Sequence, residues 1–219
     1  MDTSVVTELI GFIFLVVAGL LPIANPFSTA PLFASLTAKM KPAEQISQAN
    51  RACRYMAIIL IGAFFLGAAI LDFFSITIPA IRLAGGLVIL YIGFGMLFPS
   101  SQEVVEEIEV DVAKRKDFAF TPLAVPMLSG PGSIAVVLEM SARVAQNDSR
   151  MEQIAGALVV TLGILITVLI SWLVLRGSRT MVKRIGPAGI DAMTRMLGFL
   201  LICIGVEFAS AGVNGFIGA

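Results

Sequence analysis

The residues best suited to chemistry in this sequence fall in two proline-bearing hexapeptides, Asn25-Pro26-Phe27-Ser28-Thr29-Ala30 and Gly130-Pro131-Gly132-Ser133-Ile134-Ala135. Both carry Pro-x-Ser-x-Ala, and both interrupt apolar runs. A proline at the first position of a new helix gives up an N–H that has no helical partner there. Asn25 suits the cap before such a helix, since its side chain accepts from a free N–H. Each interruption is therefore predicted to offer free amides from one half-helix and free carbonyls from the other. A zwitterion fits that arrangement, carboxylate toward the amides and ammonium toward the carbonyls. The candidate binding residues are Asn25, Pro26, Ser28 and Thr29 at the first break, and Gly130, Pro131, Gly132 and Ser133 at the second. No strong fixed charge stands beside them, which favours a small neutral solute over a dicarboxylate or a dibasic one. The plainer alternative is a pair of proline kinks used only for helix packing. The duplicated position and the neighbouring hydroxyls favour the solute site.

Those breaks have to be held by something, and composition says what. The 219 residues are 58% hydrophobic and 14% charged, with a mean hydropathy of +0.95. That is too apolar to give a soluble domain its polar coat. Six uncharged or nearly uncharged runs approach the length needed for a ~30 Å hydrocarbon core: residues 9–38, 55–71, 83–99, 118–138, 154–175 and 196–219. Helices are expected throughout, because lipid offers no partner for backbone polar groups. The first eight residues hold Asp2 and Glu8 and no Lys or Arg, so no cleaved leader is expected.

Run 9–38 is too long for an upright span, and it is either a broken, tilted crossing or a re-entrant hairpin. Loop charges separate the two. With six crossings, twelve of the fifteen Lys and Arg share one side and only Arg82, Arg143 and Arg150 lie on the other. With re-entrant first and fourth runs the split falls to nine against six. Six crossings with both termini outside are therefore predicted. Three spans per half make the second half inverted. The expected fold is all-α and integral to the membrane, built as two inverted three-helix repeats (1–99 and 118–219) whose first helices are broken. An acidic cytoplasmic linker (100–117) joins them, with Glu103, Glu106, Glu107, Glu109 and Asp111.

Outside the breaks, Glu207 is the one carboxylate deep within a run. A lone acid there is a candidate for proton coupling, for pairing with Arg82, or for reaching the outer interface. Arg82 and Arg195 read as interfacial charges, and Asp72 as a neighbour of Arg82 across a short outer loop. Cys53 and Cys203 stand alone, which disfavours a thiol redox carrier. With no histidine in the chain, zinc-protease helices and Ser–His dyads are excluded. No cofactor or metal is expected, no basic stripe suggests nucleic acid, and no nucleophile–base pair points to an enzyme.

Several of these residues form a recognisable set: Asn25-Pro26 with Pro31-Leu32-Phe33, Arg82-Leu83-Ala84-Gly85-Gly86, Pro122-Leu123-Ala124-x-Pro126 before Gly130-Pro131-Gly132, and Thr194-Arg195-x-x-Gly198. The combination resembles the MarC family across residues 20–212. The resemblance implies a six-span inner-membrane protein classed with transporters of neutral amino acids, and it brings no assigned binding residues. The leading expectation is a secondary transporter, exporter or importer, of small neutral amino acids, with H+ or Na+ as candidate coupling ion and membrane lipid as surroundings. The competing expectation is a non-transporting membrane protein that binds a partner or serves an envelope-stress response.

Overall fold

The computed structural model describes residues 3–98 and 118–218, with side chains from residue 9 onward; the linker 100–117 lies outside the described residues. Among the described residues six α-helices follow one another: α1 (Thr3–Ala24), α2 (Pro26–Leu36), α3 (Pro42–Phe73), α4 (Ile78–Leu97), α5 (Pro131–Ala145) and α6 (Arg150–Ile217). No strand occurs among the described residues. Apolar side chains such as Phe14, Phe65, Tyr91 and Leu173 face outward, as lipid-exposed helices require.

Helices α3, α4 and α6 are long and apolar enough to cross a membrane. The pair α1–α2, bent by 45°, and the pair formed by Ala119–Leu128 and α5, bent by 63°, also pass as broken spans, for up to five in all. The 68 residues of α6 would measure ~100 Å as one rod. They do not form one, because Gly186 adopts φ 72, ψ 168 inside it. That left-handed region is open to glycine, and Pro187 follows. Helix runs through the charged stretch 176–185, where the apolar run had ended at residue 175.

Ala119–Leu128 corrects the expectation of helix on both sides of the second break. Thr121 (φ −120, ψ 122) and Val125 (φ −127, ψ 127) are extended, each because a proline follows and disfavours the α conformation before it. The chain closes wide turns instead, with Leu123 N–H donating to Phe118 O and Ser129 N–H to Ala124 O. Such backbone is tolerated at membrane depth when protein surrounds it. Ala119, Pro122, Leu123, Ala124 and Leu128 are all buried.

Helix directions follow from which residues touch. On α1, Leu9 and Phe12 share a groove with Glu152 and Gly156, and Val16 meets Gly163, so α1 runs parallel to residues 150–185. Gly67 of α3 meets Leu138 and Ser141, and Leu71 packs with Ala142, so α3 and α5 are parallel. Gly85 meets Ala135 and Arg82 meets Glu139, so α4 and α5 are antiparallel. Leu9 lies near Arg143 and Ile23 near Gly132, making α1 antiparallel to α5.

The closest seam joins α4 to residues 187–217. A Cβ on Gly86 would lie 2.5 Å from Ala209 N, one on Gly198 2.9 Å from Gly93 O, and one on Gly212 2.6 Å from Leu83 N. Only glycine lets two backbones approach so closely. The seam is antiparallel, so residues 187–217 run opposite to 150–185 and the chain reverses at Gly186.

Candidate functional site

The two breaks, more than one hundred residues apart in sequence, line one cavity of about 420 Å³. Asn25, Ser28 and Thr29 come from the first break, and Gly130, Pro131, Gly132 and Ser133 from the second. Ile23, Val88, Ile92, Met96 and Met127 supply apolar wall, and Tyr91, 82% exposed, stands at its margin. Pro26 is buried beside them as the first residue of α2. Among the described residues, no Lys, Arg, Asp or Glu lines the cavity.

At the first break Asn25 ends α1 in the left-handed region (φ 40, ψ 61), which Asn tolerates better than most residues. Its Oδ1 accepts from Ser28 N–H at 3.2 Å, capping α2 as expected. Its Nδ2 donates to Ser28 Oγ at 2.9 Å and to Met96 Sδ at 3.2 Å. Ser28 Oγ in turn donates to Thr194 Oγ1 at 3.3 Å, and Thr29 Oγ1 donates to Asn25 O at 3.2 Å. The polar side chains of this break are thus mutually engaged.

The second break is different. Gly130 has no side chain to cap α5, and Pro131 has no N–H. The first amide bond of the helix is Ile134 N–H to Gly130 O, which leaves the N–H groups of Gly132 and Ser133 uncapped. The Ser133 hydroxyl is 1% exposed and has no hydrogen-bond partner. A buried hydroxyl left so costs about 1–3 kcal/mol. Gly132 sits where a Cβ would press on Ile23, Ile89 and Ile92 at 3.1–3.5 Å.

On one side of the cavity lies a cluster of charge that the apolar runs did not reveal. Glu139 of α5, 3% exposed, accepts from Arg82 Nε and Nη2 at 2.8 Å each and also from Arg143. The carboxylate partner of Arg82 is therefore Glu139, and not Asp72 or Glu207. Asp72 is exposed, on a neighbouring polar cavity that Arg82 and Arg143 also line. Glu207 is exposed and off the central cavity, on the turn between Gly205 and Ala209 that packs on α4. Arg195 pairs with Asp191 at 2.9 Å and donates to Leu97 O at 3.4 Å, at the end of α4. Glu139 had one local signal, its i,i+4 spacing to Arg143. Thr194 and Met96 had none that pointed to Asn25 and Ser28.

The end of α2 is fastened by Arg179. Its Nη2 donates to Thr37 O and, at 3.1 Å, to Met40 O. Thr37 O also accepts from Met40 N–H at 2.9 Å, and a cation there adds to that bond and suits the negative end of the helix dipole.

Comparison with known proteins agrees with this architecture. The model of the MarC family of integral membrane proteins matches residues 10–217. The inner membrane protein MarC of Escherichia coli strain K12 is 36% identical over 202 residues, covering 89% of this chain and 90% of that protein. MarC of Shigella flexneri is 36% identical over the same length and shares, and that of Escherichia coli strain SMS-3-5 is 35% identical over 200 residues. No solved structure matches the chain. With its broken apolar helices and a family match along nearly its whole length, the chain belongs to the MarC family of integral membrane proteins.

Proposed function

We propose that the chain is a secondary transporter of neutral amino acids, held in the inner membrane by six spans in two inverted repeats. The observation that carries this reading is the meeting of both breaks at one uncharged cavity. Broken helices in corresponding places of two halves, joined at a shared site, are the arrangement that transporters of this kind use. Counting α6 as two spans about Gly186 brings the five candidate crossings to six. Helix pairing supports the inverted repeat. When the halves are exchanged α2 takes the place of α5, so the contact of α2 with 150–185 at Arg179 maps onto that of α5 with α3, and the seam of α4 with 187–217 maps onto itself. The inner-membrane assignment follows the names of the relatives. The charge asymmetry supports termini outside.

Alternating access needs parts that move against each other, and the packing suggests which. The glycine seam makes α4 and residues 187–217 one body, although they come from different halves. The cavity lies between that body and the two breaks. Ser28–Thr194 and Asn25–Met96 tie the first break to that body at the cavity, and Arg82–Glu139 ties α4 to α5 further along. Breaking one set while the other holds would open the cavity to one face at a time. Purified protein in proteoliposomes should move labelled alanine, glycine or leucine under a proton or sodium gradient. Absence of flux for every neutral amino acid under both gradients defeats the proposal.

A further inference from the structure

The two breaks share a sequence pattern but differ in what they leave free. At the first, Asn25 caps α2, Ser28 is taken by Asn25 and Thr194, and Thr29 by Asn25 O. At the second, two helix N-terminal amides lack a cap and the buried Ser133 hydroxyl on the cavity wall lacks any partner. We infer that the N-terminus of α5 is a carboxylate site, at which Gly132 N–H, Ser133 N–H and Ser133 Oγ donate to the ligand while its apolar side chain lies along Ile23, Val88, Ile92, Met96 and Met127. The inference rests on the transport reading for its setting, and deepens it by assigning the carboxylate to one break and the side chain to a size class.

Three observations converge. A helix N-terminus carries about half a positive charge and directs its free N–H groups at an anion. The orphaned hydroxyl of Ser133, 1% exposed, is a third donor at the same place. Among the described residues no ionised side chain lines the wall, so the one positive pole at the site is the helix N-terminus, which suits a single carboxylate, as in a zwitterion, better than a free dicarboxylate. Size then narrows the class. A cavity of about 420 Å³ matches roughly fourteen waters at their bulk share of ~30 Å³. Glycine and alanine would leave nearly all of that space to water, whereas leucine and methionine lay longer side chains along its apolar wall. The first break is then the support that fixes the opposite wall.

Binding of six compounds to the full-length protein in detergent, read by calorimetry, tests this without requiring transport. L-Leucine and L-methionine should bind about tenfold or more tighter than glycine or alanine. 4-Methylpentanoate, which lacks the amine, should still compete with leucine, and leucinol, which lacks the carboxylate, should not. Ser133→Ala should weaken leucine about tenfold, the ~1.4 kcal/mol of one hydrogen bond to a charged group, and Ser133→Thr should restore most of it. Ser178→Ala removes another buried, unpartnered hydroxyl outside the cavity and should leave affinity unchanged. The melting temperature of each variant without ligand separates weak binding from misfolding. Glycine binding as tightly as leucine, leucinol competing as well as leucine, no binding of either amino acid, or an unaltered Ser133→Ala overturns the inference. Leucine bound but never moved would instead defeat the transport reading and leave the carboxylate site standing.

Discussion

Arg82 donates from Nε and Nη2 to a single oxygen of Glu139, both at 2.8 Å, and so fastens α4 to α5 beside the cavity. Glu139 is almost wholly buried, while Arg143, its second partner, is more than half exposed. Removing one member of such a pair leaves the other charge buried and uncompensated.

Arg82→Ala, which leaves buried Glu139 with the exposed Arg143 alone, is therefore expected to destabilise the fold by about 3 kcal/mol, visible as early thermal unfolding in detergent. The double variant Arg82→Met with Glu139→Met should lose clearly less than the sum of the two single changes. Additive losses would show that the two side chains are not energetically coupled.

The seam between α4 and residues 187–217 predicts which links a working transporter tolerates. A Cβ on Gly215 would lie 3.2 Å from Pro79 Cβ, and one on Gly85 2.9 Å from Ala135 Cβ, both close to disulfide spacing of about 3.5–4.5 Å. In a background without Cys53 and Cys203, the pair Pro79→Cys and Gly215→Cys joins two parts of one body and should leave transport intact when oxidised. The pair Gly85→Cys and Ala135→Cys fastens α4 to α5 beside the cavity and should stop transport until reductant is added. Both links join the first repeat to the second, so rocking of whole repeats predicts arrest by both.

Glycine positions in α4 are predicted to differ sharply from those facing lipid. Gly86→Ala puts a methyl 2.5 Å from a backbone nitrogen, which cannot yield as a side chain end can, and should cost about 1–3 kcal/mol. Gly19→Ala meets nothing within 4 Å and should be neutral or stabilising by up to about 1 kcal/mol, through helix propensity. Thermal melts of the two variants side by side decide the point.

How much of this was legible beforehand depends on whether the cause was local. Proline after Asn25 and after Gly130 marks a break wherever it occurs, and the shared Pro-x-Ser-x-Ala pattern with its hydroxyls was the reason for singling both out. The irregular Ala119–Leu128 was also written locally, in Pro122 and Pro126, but an apolar run in a membrane reads as helix until backbone pairing is traced bond by bond. Glu139 escaped because it stands one residue beyond the apolar run 118–138, at its edge by composition yet at its core by packing. Thr194 and Met96 escaped for a different reason. Their roles arise from which helix lies against α2, and no periodicity along a single helix records its neighbour. Glu207 stood out in sequence as an acid within an apolar run, and the fold gives that acid an exposed face.

Arg179 offers a test of how the first break is held. Its guanidinium donates to Thr37 O and Met40 O, tying the end of α2 to residues 150–185, and it sits far along the chain from the cavity-lining residues. Arg179→Ala leaves those carbonyls without their cation and should cost about 1.5–3 kcal/mol, the scale of hydrogen bonds to a charged donor.

Glu207 is the remaining candidate for proton coupling, and its position makes the expectation specific. It is exposed, faces away from the cavity, and lies on the segment packed against Gly86 and Leu90. A carboxylate that binds the coupling proton must lose coupling when it becomes an amide. Glu207→Gln should then retain exchange of labelled amino acid between equal pools but fail to concentrate it under an imposed pH gradient. A sodium-driven protein would instead keep its uptake in this variant, with no dependence on the pH gradient in either form. If Glu207→Gln concentrates solute from a proton gradient as well as the parent protein does, the side chain serves the interface alone. Coupling would then have to be sought at Glu139, the one carboxylate among the described residues that is both buried and held between α4 and α5.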